Sequence, residues 1–82
     1  MKKLICLAVP VLSQEFDILI PDFLEIDVLV SIIAEAVENL SEHLYTPSGH
    51  EILCSAEMNK PLSGRSTLAD YSIENGAKLI LL

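Results

Sequence analysis

Leu62-Ser-Gly-Arg-Ser-Thr-Leu-Ala-Asp-Tyr-Ser-Ile-Glu-Asn-Gly-Ala-Lys-Leu-Ile-Leu-Leu82 is the stretch that decides how this chain folds. Its centre, Thr67-Leu68-Ala69-Asp70-Tyr71-Ser72-Ile73, sets two aliphatic side chains among short polar ones. Leu68 and Ile73 are spaced to plug a core from one compact turn. Thr67 and Asp70 can bond backbone amides around that turn. Tyr71 can pack its ring and return its hydroxyl to a nearby loop backbone. Thr67–Tyr71 suits a single helical turn, and Asn75-Gly76 is a tight turn. Lys78–Leu82 then reads as a closing apolar strand.

Working outward, residues 3–9 are rich in Leu, Ile and Val and read as a buried strand. Pro10 to Gln14 makes a turn. Residues 15–20 form a second strand, with Phe16, Ile18 and Ile20 on one face, so the two strands make a hairpin. Pro21-Asp22 ends the second strand, and Asp22 followed by Glu25 has the character of a capping box. Ile26, Leu29, Val30, Ile33, Val37 and Leu40 then recur at the spacing of one helical face. That helix is expected from a start between residues 23 and 26 to an end near Glu42. Glu35, Glu38 and Glu42 lie off its apolar face. Thr46–Gly49 is a loop by composition. Residues 51–55 read as a short third strand, Asn59–Pro61 as a turn, and a brief strand is expected near Leu62. The order is β-β-α-β-(β)-β, an α+β chain. The helix stripe is best buried across one face of a mixed sheet of four to five strands.

The chain has 82 residues, enough for one domain spanning 1–82. Five Lys or Arg stand against twelve Asp or Glu, a net charge of −7. That balance repels phosphate backbones, so nucleic acid is not an expected partner. The apolar run Leu4–Leu12 after Lys2-Lys3 is interrupted by Pro10 and is too short to span a bilayer. No small-residue cleavage site follows it, so neither membrane insertion nor a signal peptide is expected. Cys6 and Cys54 are too few for a secreted disulfide scaffold and suggest a reducing cytoplasm.

The Thr67–Ile73 segment and the strand after it resemble the matching region of ubiquitin-like proteins. Ile73-Glu74-Asn75-Gly76 and Lys78–Leu82 look closer still to the YukD/EsaB family, small ubiquitin-like proteins of bacterial type VII secretion systems. That family usually carries Asp after the glycine, where this chain has Ala77. The resemblance implies a ubiquitin-like β-grasp, a cytoplasmic accessory or regulatory role in type VII secretion, and partners among its machinery. It also implies that the final strand lies between the first and third. Two strand spacings, about 9.6 Å, then separate Cys6 from Cys54, beyond the roughly 7 Å that a disulfide allows.

No enzymatic chemistry is expected. There is no nucleophile elbow, phosphate-cradling glycine loop or Cys-His pair. A metal site would have to use Cys6, His43, His50 and Cys54, and His50-x-x-x-Cys54 is not a strong zinc spacing, so no metal or cofactor is expected. No glycine lies beyond Gly76, so a modifier or sulfur carrier that works through a Gly-Gly tail is the weaker alternative. A generic ubiquitin-like adaptor outside secretion is another. What stands out is apolar strand surface in excess of one core. If Leu79 and Leu81 face the helix, Ile80 and Leu82 face outward. Leu19 alternates away from Phe16, Ile18 and Ile20. Strand one offers Ile5, Leu7 and Val9 or Leu4, Cys6 and Ala8, with the bulkier set favoured inside. Leu19, Ile80 and Leu82, with Leu53, are the expected partner-binding or dimerisation patch.

Overall fold

A computed structural model describes all 82 residues. The elements are β1 (Lys2–Val9), a 3-10 turn (Pro10–Leu12), β2 (Gln14–Pro21), α1 (Ile26–Leu40), β3 (Leu53–Ser55), β4 (Lys60–Pro61) and β5 (Lys78–Leu81). The five strands form one sheet in the order β2-β1-β5-β3-β4. β1 and β2 pair antiparallel, β1 and β5 parallel, and β3 pairs antiparallel with both β4 and β5. This is the expected β-grasp, with first and last strands side by side. β5 also lies between β1 and β3, as the resemblance implied, and Cys6 and Cys54 are free thiols.

Alternation decides which side chains meet α1. Ile5, Leu7 and Val9 of β1, the bulkier set, point inward and are buried, as are Leu79 and Leu81 of β5. Ile26, Leu29, Ile33 and Val37 of α1 close over them, with Ala34 filling a narrow gap. Leu40, assigned by periodicity to the same face, is 53% exposed instead. It occupies the last position of the helix, where the core beneath has run out.

The 62–73 segment behaves as its residues suggest, although residues 68–72 form consecutive turns and not a helical turn. Leu68 is fully buried and Ile73 nearly so. The Thr67 N–H donates to the Asp70 carboxylate at 2.9 Å, and the Asp70 N–H donates to Thr67 Oγ1 at 3.1 Å. The Ser63 N–H donates to the Tyr71 hydroxyl at 2.7 Å.

The start of α1 corrects the expected capping box. Glu25 is the residue before the helix, and no side chain caps it. The N–H groups of Ile26 and Asp27 donate instead to the carbonyls of Ser66 and Gly64, at 2.8 and 2.9 Å. Asp22 lies too far upstream to cap and pairs with the N-terminal ammonium at 3.1 Å. Gly64 lies close to Asp27, and a Cβ there would have to turn the exposed Asp27 carboxylate aside.

The loop after α1 is organised by Glu51. Its carboxylate accepts from the Tyr45 hydroxyl at 2.7 Å and from the backbone N–H groups of Ser48 and Gly49 at 2.7 and 3.2 Å. Burial and the adjacent Glu51 push the Tyr45 phenol up to about 12. Burial works against the charged form of Glu51, but these hydrogen bonds together outweigh it and hold the carboxyl below its usual range.

Two outcomes follow from this packing. Leu68→Ala or Ile33→Ala should lower unfolding free energy by about 2–5 kcal/mol in denaturant melts, because each leaves a cavity in a closed core. A Glu pKa lowered by folding stabilises the folded state above the unfolded value of about 4.3. That contribution is lost as pH falls through the folded value. Glu51→Gln should therefore lower the melting temperature at neutral pH, and the gap from wild type should close as melts are taken to more acid pH.

Candidate interaction surface

The sheet face turned away from α1 is built from the outward residues of each strand. Cross-strand register sets them in rows. Asp17, Cys6 and Lys78 are neighbours across β2, β1 and β5. In the next row Glu15, Ala8, Ile80, Cys54 and Pro61 run across all five strands. Beyond the end of β5, Leu82 and Ile52 exchange two backbone hydrogen bonds of 2.9 Å, so their side chains lie side by side.

Ile80, Leu82, Ile52 and Cys54 thus form one compact apolar cluster, with Ala8 beside Ile80. Leu82 is 62% exposed and Ile52 51%, while Ile80 is half-buried among its neighbours. The β1–β5 register carried two residues further sets Leu82 level with Pro10, at the 3-10 turn where Val11 stands clear of the core.

Two of the four expected patch residues lie elsewhere. Leu53 is a core residue, 1% exposed. It sits opposite Leu81 in the antiparallel β3–β5 pair, and directly opposed residues share a face, so an inward Leu81 carries Leu53 inward. The neighbour that faces out is Ile52. Leu19 is outward and exposed, but it pairs with Leu4 at the far end of β1. Four residues along the strands and two strands across, it is about 16 Å from Ile80. The sequence signal for Ile52 is its adjacency to Leu53, which becomes readable only once Leu53 is matched to Leu81.

A polar seam separates the Leu4–Leu19 pair from the Ile80 cluster. Lys78 Nζ is 2.8 Å from the Glu15 carboxylate, and Cys6 Sγ donates to the same carboxylate at 3.5 Å. The Lys78 ammonium lowers the Glu15 pKa, and Glu15 in turn raises that of Lys78. Desolvation, then the Glu15 carboxylate, pushes the Cys6 thiol up. Cys6 is therefore a poor nucleophile near neutral pH.

Elsewhere the surface holds one hollow of 240 Å³, whose walls include Glu57, Met58, Tyr71, Ile73, Glu74 and Ala77. That is below the about 300–1,000 Å³ of small-molecule pockets, and no pair of nucleophile and base meets in it. No three His, Cys, Asp or Glu side chains converge as a metal site would require. No helix is long and apolar enough to cross a membrane.

The seam makes a direct check on this geometry. Glu15→Gln removes a hydrogen-bonded carboxylate from Cys6, so alkylation of Cys6 by iodoacetamide near neutral pH should accelerate several-fold. Peptide mass spectrometry resolves it from Cys54, and an unchanged Cys6 rate would show that the thiol does not sense Glu15.

No protein-family model matches the chain, and no curated protein does. Solved structures do. The ubiquitin-like domain of Plasmodium falciparum Dsk2 superposes with a TM-score of 0.74 at 21% identity, over 99% of this chain and 96% of that one. The EccD5 ubiquitin-like domain of Mycobacterium xenopi gives 0.73 at 13% identity, over 100% and 93%. The ubiquitin-like domain of the Mycobacterium tuberculosis type VII secretion system protein EccD1 gives 0.68 at 15% identity, over 100% and 98%. At such identities the likeness is one of architecture, and on it the chain has the ubiquitin-like fold.

Proposed function

We propose that this chain is a non-enzymatic protein-interaction module, acting in the cytoplasm as an accessory or regulatory component of type VII protein secretion. The observation that carries the interaction role is the cluster of Ile80, Leu82, Ile52 and Cys54 on the solvent side of the sheet. A solvated antiparallel face normally alternates to polar residues at such positions. Aliphatic groups left together there gain free energy when a partner covers them. The likeness to two EccD ubiquitin-like domains and the YukD/EsaB-like Ile73–Gly76 turn support the secretion setting. The two unbridged thiols support the cytoplasm. The likeness to the Dsk2 domain favours, as a second reading, an adaptor of the same kind outside secretion.

Ile80 stands at the centre of the cluster and outside the core. Ile80→Lys should leave the circular dichroism spectrum unchanged and the melting temperature within a few degrees of wild type. It should weaken self-association or partner capture by about tenfold or more, since the interface would have to desolvate an unpaired ammonium. Light scattering and affinity capture from native-host lysate, with the captured proteins sequenced, measure both. Type VII components captured by wild type and lost with Ile80→Lys support the proposal. Capture confined to unrelated proteins supports the adaptor reading. Association that survives the substitution overturns the assignment of this face.

A further inference from the structure

The opposite side of the molecule carries a second apolar row. Val28, Ile32, Ala36 and Leu40 recur every four residues along α1, forming an oblique ridge that winds about 120° around the helix over about 18 Å, from its outer side at Val28 to the margin of the core at Leu40. Val28, Ile32 and Leu40 are each about half exposed, at 50%, 46% and 53%. None belongs to the buried set of Ile26, Leu29, Ile33, Ala34 and Val37 that meets the sheet. The remaining exposed side of the helix is polar and largely acidic: Asp27, Ser31, Glu35, the neutral Asn39 and, half-buried, Glu38. Asp27 approaches Gly64, so this acidic side borders the 62–66 loop and the apolar row lies on the flank turned away from it. The outer half of α1 is thus divided lengthwise into an apolar strip and a carboxylate edge.

Charge along the chain is divided in the same sense. Residues 4–59 contain ten of the twelve carboxylates and no Lys or Arg. All five basic side chains, Lys2, Lys3, Lys60, Arg65 and Lys78, lie outside α1. α1 therefore carries no Lys or Arg of its own; the nearest basic groups are Arg65, in the loop beside Asp27, and His43, whose Nδ1 is 3.7 Å from the Glu38 carboxylate.

We propose that this strip docks an amphipathic helix of another protein whose apolar stripe is bordered by Lys or Arg. The apolar halves would pack along Val28, Ile32, Ala36 and Leu40, with Ala36 allowing close approach at the middle. The basic border would lie against Glu35, which flanks the row, with Asp27 and Glu38 further round adding to the attraction and to a faster encounter. A second copy of this chain fits badly. In antiparallel pairing its acidic edge meets the same edge, with no cation on either helix. This surface is separate from the sheet face and goes beyond the function proposed above.

The test uses the full 15N-labelled chain. One probe is a synthetic amphipathic helix of Leu, Ala and Lys about five turns long, with lysines along one border. The other is the same peptide with Glu for Lys. Saturable amide shifts confined to residues 24–44 are expected with the lysine peptide only, weakening as salt is raised. Ile32→Gln with Leu40→Gln should weaken that binding about tenfold or more. Glu35→Lys with Glu38→Lys, which leaves the apolar row intact, should reverse the preference to the glutamate peptide. Equal binding of both peptides, shifts centred on β3 and β5, or no saturable shift overturns the proposal. So does concentration-dependent broadening of the α1 amides without peptide, which would make a second copy the occupant.

Discussion

The first N–H groups of α1 must find acceptors, and no side chain at its start supplies one. They find the carbonyls of Ser66 and Gly64. A buried amide left unpaired costs about 1–3 kcal/mol, so the loop from Leu62 to Ile73 and the helix can hardly form apart. The same loop inserts Leu68 beneath the helix and is held in shape by the reciprocal Thr67–Asp70 bonds. It also fixes where β5 begins. The Ala69 N–H donates to the Asp22 carbonyl at 3.1 Å, and the Gly76 N–H donates to the Leu4 carbonyl at 2.7 Å, which lays the approach to β5 alongside β1. Helix position, core closure and the central strand pair all depend on one segment of irregular backbone.

That dependence explains what could be read from the residues and what could not. In β1 a period of two leaves only two choices, and bulk places Ile5, Leu7 and Val9 inward; in β5 both sets are bulky, so an inward Leu79 and Leu81 was a condition, which the structure meets. The Thr67–Ile73 chemistry was legible because it is local: each donor has its acceptor within a few residues, apart from the Ser63 N–H, which reaches the Tyr71 hydroxyl eight positions on. The expected capping box failed because the true caps are carbonyls about forty positions downstream, and a carbonyl carries no residue-specific signal. Leu53 failed for a related reason. Ile52 and Leu53 are adjacent aliphatics in a three-residue strand, too short for its own alternation to settle the register. Only the pairing with Leu81 decides between them. Ala77 departs from the acidic residue usual in the resembling family, yet it is 8% exposed at the rim of the core, where a small apolar side chain fits. Of the candidate site, Ile80 and Leu82 were legible by alternation along β5. The gap between them and Leu19 was not, because distance across a sheet depends on register.

A helix on one sheet has a single interior interface, yet this chain carries aliphatic rows on three surfaces: inside the sheet, outside it, and along the outer flank of α1. The two exterior rows differ in their electrostatic setting. On the sheet the nearest charges, Glu15 and Lys78, neutralise each other at 2.8 Å. On the helix the carboxylates outnumber the basic groups beside them, Arg65 in the neighbouring loop and His43 near Glu38. A partner attracted by charge is steered to one face, while a neutral apolar partner meets less polar competition on the other. Two unlike surfaces on opposite sides of so small a body allow it to sit between two proteins without their touching.

The position of β5 has a consequence for how the domain is made. It fills the centre of the sheet, between β1 and β3, yet it is made after every other strand of that sheet. Until Leu81 has cleared the exit tunnel, the nascent chain can form the β1–β2 hairpin and a helix, but the parallel edge of β1 has no strand to pair with. Ile5, Leu7 and Val9 then face an incomplete floor, and the hairpin offers an open edge to any extended segment nearby. The sheet is thus completed in one late step, once β5 has been made. A chain cut short before β5 would keep that edge open, giving an adhesive fragment instead of a smaller domain.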